Sequence, residues 1–226
     1  MPKIFVVIAA YNEEHAIGNV VKGLRKAGYH DIVVVDDGSD DRTSEVATDA
    51  GAKVVRHVLN RGQGAALQTG MDYALRNGAD FIVHFDADGQ HRVEDLSAML
   101  APVLSGAADV TLGSRFIAKG SNVPGMRAFW LRRGALLFRI LYGIRLTDSH
   151  NGFRVFSRRA AETIRITADR MEHASEIVDQ IAKHRLRYRE IPVVIRYTEY
   201  SKAHSSQGPL PALRIFLRTV AHKLLR

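Results

Sequence analysis

Phe81-Ile82-Val83-His84-Phe85-Asp86-Ala87-Asp88 decides how this chain is read. The first five residues form a largely apolar run, the pattern of a strand buried inside a sheet. The carboxylates begin where that strand ends. In open α/β sheets, ligands gather outside the carboxyl ends of the strands. Two carboxylates one residue apart repel unless something positive lies between them, and a hard divalent cation with oxygen ligands meets that need. Gln90, at the next alternate position, offers a carbonyl oxygen. Asp86, Asp88 and Gln90 therefore read as a partial metal shell, completed by water or substrate phosphates. The competing reading is a solvated turn, because Asp88-Gly89 is itself a turn dipeptide.

On both sides of this stretch the chain alternates strand and helix. Ile4–Ile8, Ile32–Val35, Lys53–Val58 and Phe81–Phe85 read as strands, with another near Asp109–Leu112. Helices are expected over Glu13–Lys26, Arg42–Ala50, Gly64–Arg76 and Val93–Leu104. Asp40 or Asp41 stands where it can cap the second helix. Repeated β-α-β units predict a mostly parallel sheet covered by helices. Right-handed crossovers bring the strand ends to one rim. Tyr11-Asn12-Glu13, Asp36-Asp37, Asn60-Arg61-Gly62-Gln63-Gly64 and Asp86-Ala87-Asp88 all follow strands, so all are expected on that rim. Acids, a glycine-rich loop and a metal pair in one place read as a site for a nucleotide diphosphate.

After Gly113 the pattern loosens. A loop over Gly120–Gly125 leads to a helical stretch, Met126–Tyr142, in which Phe, Trp and Leu alternate with Arg. Asp148–Phe156 reads as a turn entering a strand, Glu172–His184 as a helix and Arg189–Tyr197 as a strand. Leu210–Arg226 ends the chain as a helix, with Arg214, Arg218, His222 and Arg226 on one stripe and Leu213, Leu217, Val220 and Leu224 beside it. Such a basic amphipathic helix suits a membrane surface or a membrane-embedded partner. No repeat or linker divides the 226 residues. The expected organisation is one domain, with a nucleotide half over 1–113 and an acceptor half over 114–226.

Composition narrows the classes. With 46% hydrophobic residues the chain can bury a full core, and the absence of cysteine excludes disulfides and thiolate metal sites. No apolar run approaches the roughly 18 residues that span a bilayer, and no leader pattern opens the chain. Charge is unevenly spread. Residues 1–100 hold 10 Lys and Arg against 15 Asp and Glu, whereas residues 101–226 hold 22 against 9. The basic second half calls for an anionic partner. Among nucleic acid, a membrane surface and phosphorylated substrates, nucleic acid is not expected, because no nucleic-acid-binding motif is present.

Six segments in order resemble the family 2 glycosyltransferases of GT-A fold, in particular the dolichol-phosphate mannose synthases and polyprenyl-phosphate sugar transferases. They are Ala9-Ala10-Tyr11-Asn12-Glu13-Glu14, Val35-Asp36-Asp37-Gly38-Ser39, Asn60-Arg61-Gly62-Gln63-Gly64, Asp86-Ala87-Asp88-Gly89-Gln90-His91, Gly113-Ser114-Arg115-Phe116 and Asp148-Ser149-His150-Asn151-Gly152-Phe153-Arg154. The resemblance covers nearly the whole chain. It departs from the family at Ala9, where Pro is usual, at Ser149, where Pro is frequent, and at Asn151, where Ser is common.

The resemblance implies an inverting transfer of a sugar from a GDP- or UDP-linked donor. Tyr11 would stack on the base, Glu13 and Asp36 would accept from base or ribose, with Asp37 beside them, and Gly64 would bring backbone close to the nucleotide. Asp86, Asp88 and Gln90 would hold Mg²⁺ or Mn²⁺ on the diphosphate, where the metal acts as Lewis acid and template. His91 reads as a residue behind the ligands or at the surface. A polyprenyl phosphate acceptor, with its second pKa near about 6, is already largely a dianion and needs cations more than a base. Arg115, Arg127, Arg132 and Arg133 are the candidates, since the guanidinium fork grips phosphate. A glycan hydroxyl acceptor would instead need a general base, for which Asp148 and Glu176 are the candidates. The implied location is the cytoplasmic face of a membrane, held peripherally. A sugar-1-phosphate nucleotidyltransferase and a basic nucleic-acid-binding module are the more distant alternatives.

Overall fold

The computed structural model describes residues 2–117, 143–148 and 151–196. In chain order its elements are β1 (Ile4–Ala10), α1 (Ile17–Lys26), β2 (Ile32–Asp36), α2 (Thr43–Asp49), β3 (Lys53–Arg56), α3 (Gln63–Arg76) and β4 (Phe81–His84). A short 3₁₀ turn (Val93–Asp95) leads into α4 (Leu96–Leu104), followed by β5 (Val110–Ser114), β6 (Arg154–Ser157), α5 (Arg158–Thr163), α6 (His173–Lys183) and β7 (Tyr188–Pro192). The expected Gly120–Gly125 loop, the helices over Met126–Tyr142 and Leu210–Arg226, and Arg127, Arg132, Arg133 and Ser149 lie outside the described residues.

The strands form one seven-stranded sheet in the order β3-β2-β1-β4-β6-β5-β7. All neighbours are parallel except β6, which runs antiparallel to both β4 and β5. The chain moves outward from β1 to β3, then returns to place β4 on the other side of β1. That reversal opens a crevice beyond the carboxyl ends of β1 and β4, the place where open α/β sheets bind ligands. Tyr11 and Asp86 flank it in the sequence.

Period-two alternation sends each strand's side chains to two cores. Val7, Val33, Val35 and Ile82 pack with Leu67 and Met71 of α3 and with Ile177 and Ile181 of α6. Val6, Ile8, Val34 and Val83 pack with Ile17, Val21 and Leu24 of α1 and with Met99 and Val103 of α4. Strands covered on both faces explain the near-continuous apolar runs in the sequence.

Two expectations shift. Helix α1 begins at Ile17 rather than Glu13, because Asn12 adopts a left-handed conformation (φ 55°) and its Oδ1 accepts the Asp40 amide. Asp41, not Asp40, serves the start of α2, its Oδ1 accepting the Thr43 amide at 2.9 Å.

Candidate active site

The rim loops are tied to one another before any ligand arrives. The Asp37 amide donates to the Ala10 carbonyl at 2.8 Å, the Asn12 amide to Ser39 Oγ at 2.9 Å and the Glu13 amide to Thr43 Oγ1 at 2.8 Å. The loops after β1 and β2 thus form one unit. The loop after β3 joins it through Asp37, whose Oδ1 accepts the Arg61 amide at 3.0 Å and whose Oδ2 accepts the Gly62 amide at 2.6 Å. His57 Nδ1 lies 2.7 Å from the same carboxylate. Tyr11 remains 45% exposed at the head of the crevice, available for stacking on a planar ring.

These bonds show what holds the first acidic pair. Asp36 is fully buried; its oxygens accept the Ser39 amide at 2.9 Å and the Ser44 hydroxyl. Asp37 is buried as well. Both carboxylates build the loops of the rim. At Gly64 the neighbour is the chain's own backbone. A Cβ there would stand 2.0 Å from the Ala168 carbonyl oxygen, and its amide donates to Asp169 O at 2.8 Å. The close approach at Gly64 is by the 168–169 backbone of the chain itself.

At the end of β4, Asp86 accepts from His91 Nε2, 2.7 Å from its Oδ2. The His91 ring packs against Phe85 and Phe153, with centroids 5.4 and 5.0 Å away, so the donor is fixed in place. His91 is thus the residue behind the acid. Gly152 lies against the other side of Asp86: an added Cβ would fall 2.3 Å from Oδ1. Burial works against ionisation of Asp86, but the fields of His91, Arg154 and His173 outweigh it and lower its pKa. At Asp88 the balance is reversed, because the Gln90 amide and His91 offset only part of what opposes them. Burial, and then the charge of Asp86, push its pKa up to about 6. Its Oδ1 accepts the Gln90 amide at 2.9 Å, which sets the turn that carries all three oxygen donors.

This donor set fits a hard divalent cation. The two carboxylates lie close enough for the charge of Asp86 to raise the pKa of Asp88, and an Asx turn places Gln90 next to them. Among the described residues no group of three or more His, Cys, Asp or Glu is arranged to hold a metal alone. A cavity of about 660 Å³ opens beside Asp88, walled by His15, Asn19, Lys26, His91 and Arg196. Asp88 and Gly89 of the acidic turn line it, and Tyr11 and Asp36 do not.

On the acceptor side the sequence expectations are rearranged. Arg115 Nε and Nη2 donate to Asp148 Oδ2 at 2.7 Å and Oδ1 at 2.9 Å, and both residues are buried. The phosphate grip and the general base expected there are partners of each other. A carboxylate clasped in this way is poorly placed to take a proton from a hydroxyl. Glu176 is also committed. Its Oε2 accepts the Thr167 and Ala168 amides at 2.9 Å, and its Oε1 accepts the Thr167 hydroxyl at 2.5 Å. It anchors the loop that presses on Gly64.

Sequence reading passed over a buried polar layer beside these acids. His84 and Arg154 are register partners across β4 and β6, and both are buried. Burial lowers the His84 pKa well below the usual imidazole value, and Arg154 adds to that effect. The signal available was a histidine inside an otherwise apolar strand run.

The comparisons agree with this geometry. Residues 5–165 match the model of "Glycosyl transferase family 2". The chain is 32% identical to the UDP-N-acetylglucosamine–dolichyl-phosphate N-acetylglucosaminyltransferase of Methanococcus voltae, over 98% of this chain and 96% of that one. It is 32% identical to the undecaprenyl-phosphate mannosyltransferase of Micrococcus luteus, over 91% and 88%. Its fold matches the Mycobacterium tuberculosis glucosyl-3-phosphoglycerate synthase crystallised with Mn²⁺ and UDP-glucose, with TM-score 0.74, 21% identity and coverage of 99% and 78%. With the sheet order, the crevice and the acidic turn in place, the chain belongs to glycosyl transferase family 2 and is a glycosyltransferase of GT-A fold.

Proposed function

We propose that this enzyme moves a sugar from a nucleotide-sugar donor to a polyprenyl phosphate at the cytoplasmic face of a membrane, with inversion at the anomeric carbon. The observation that carries the reading is the acidic turn, Asp86-Ala87-Asp88 with Gln90, beside an exposed Tyr11 at the sheet crevice. Relatives matched along nearly their whole length are named for transfer to dolichyl and undecaprenyl phosphates.

Tyr11 stacks on the base of a GDP- or UDP-linked donor, and the tied loops after β1, β2 and β3 hold that face rigid. Asp86, Asp88 and Gln90 hold Mg²⁺ or Mn²⁺ against the diphosphate. The bound ion supplies Lewis-acid stabilisation of the leaving phosphate. His91 fixes Asp86 in the orientation the ion needs. The acceptor phosphate is already anionic, so a dedicated base is not required. That fits a site in which Asp148 is ion-paired and Glu176 is an anchor. The acceptor half supplies cations, among them Arg127, Arg132 and Arg133. Contact with the lipid, or with a membrane-embedded partner, is peripheral; among the described residues no helix is long and apolar enough to cross a membrane.

The test uses purified protein, Mn²⁺, a panel of sugar nucleotides, and undecaprenyl phosphate beside undecaprenol. Transfer confined to the phosphorylated lipid supports the reading. Transfer to the alcohol, or release of pyrophosphate from a nucleoside triphosphate, overturns it.

A further inference from the structure

Arg154 is the largest fully buried side chain among the described residues, yet one terminal nitrogen of its guanidinium meets no hydrogen-bond acceptor. A buried, incompletely bonded charge is costly and persists where it has an electrostatic task. Its place indicates that task. Arg154 lies in β6, between β4 and β5, paired in register with His84 and Leu112. Alternation puts it on the Phe156 side of the sheet, and the His84 ring stacks 4.8 Å from Phe156 on that side. Asp86 follows His84 by two residues. Burial lowers the Arg154 pKa to about 10, and the charges of Asp86 and Asp148 hold it from falling further. Asp148 is already neutralised by Arg115. Asp86 is therefore the carboxylate left for Arg154 to balance.

We propose that Arg154 is a positioning residue for the donor site, a fixed counter-charge beneath Asp86 that makes the acidic turn select a cation–diphosphate complex over the bare cation. The inference rests on the donor-site reading above. A permanent positive charge behind Asp86 repels a bare divalent ion. It attracts the same ion once a nucleoside diphosphate has made the complex anionic. The chain thereby avoids closing its site around a metal with no donor attached.

The experiment is Mn²⁺ titration, followed by the EPR signal of the free ion, on wild type, Arg154→Met and Arg154→Lys, alone and with UDP or GDP. Arg154→Met should bind bare Mn²⁺ at least threefold more tightly and Mn²⁺ with nucleoside diphosphate at least threefold more weakly. Arg154→Lys, which keeps the charge, should return both values toward wild type. A folded Arg154→Met whose bare Mn²⁺ affinity is unchanged or weaker overturns the proposal. Where Arg154→Met folds too weakly to titrate, thermal unfolding in chelator decides. Asp86→Asn combined with Arg154→Met should recover at least half of the melting temperature lost by Arg154→Met alone, whereas additive losses contradict charge balance. If wild type binds no Mn²⁺ with either nucleotide, the donor reading fails, and the unfolding series still decides whether Arg154 and Asp86 compensate each other.

Discussion

Arg115 and Asp148, 33 positions apart, form a buried two-point ion pair, Nε to Oδ2 at 2.7 Å and Nη2 to Oδ1 at 2.9 Å. The pair fastens the end of β5 to the segment preceding β6, on the acceptor side of the crevice. Removing one partner leaves the other charge buried, which costs about 3–5 kcal/mol. Asp148→Asn should therefore lower the melting temperature markedly, read by circular dichroism, and lose transfer activity along with it. An Asp148→Asn protein that melts like wild type but turns over no acceptor would instead return Asp148 to the role of base.

Glu176 provides a second separation of anchor from base. Losing a general base typically costs about 10²- to 10⁴-fold in rate. An anchor whose oxygens accept the Thr167 and Ala168 amides should fail more gently. Steady-state assays of Glu176→Gln should show a loss of less than about tenfold, with the larger effect on donor KM, because the anchored loop presses on the start of α3. A collapse of kcat with unchanged KM would argue for proton transfer by Glu176.

Gly64→Ala tests the contact that this anchor supports. The new methyl group would stand 2.0 Å from the Ala168 carbonyl oxygen and 2.9 Å from His173 Cβ. Overpacking of this kind costs about 1–3 kcal/mol. Thermal unfolding should show that loss, and isothermal titration should show weaker donor binding through displacement of the tied rim loops. Unchanged stability would mean that the 168–169 backbone yields freely.

The sheet has its own pH dependence through Asp109. Its carboxylate accepts the Arg187 amide at 2.9 Å and two guanidinium nitrogens at 3.0 and 3.1 Å, which joins β5 to β7. The Arg187 hydrogen bond lowers the Asp109 pKa against the opposing effect of burial. For an acid whose folded pKa is depressed, the stabilisation is fully present above the unfolded value and is lost as pH falls through the folded one. Melting temperature should thus decline as pH drops below the ordinary carboxylate range. Asp109→Asn should flatten that part of the profile and lie a few degrees lower at neutral pH. An identical acid limb in the variant would assign the loss to other carboxylates.

Much of this arrangement is legible in sequence. The apolar runs that precede Tyr11, Asp36 and Asp86 announce parallel strands, and the turn at Asp88-Gly89 is where the chain needs one. The direction of β6 is not legible, because a strand's orientation depends on neighbours 70 or more residues away, such as Phe81 opposite Ser157. The roles of Asp36 and Asp37 are hidden for a related reason. A carboxylate after a strand reads the same whether it faces a ligand or accepts the amides of Arg61 and Gly62. Arg154 is the clearest case. In Gly-Phe-Arg-Val-Phe, alternation puts Arg154 on the face of Phe156, but only the strand pairing shows that face enclosed.

The central claim is that the acceptor is a lipid phosphate, and one partition experiment addresses it directly. The protein is incubated with membrane lipid extract, Mn²⁺ and radiolabelled sugar nucleotides, and the products are divided between organic and aqueous phases. Label should enter the organic phase, and Asp88→Asn or chelator should abolish it. Label found only on water-soluble oligosaccharide, with none in the organic phase, would contradict it.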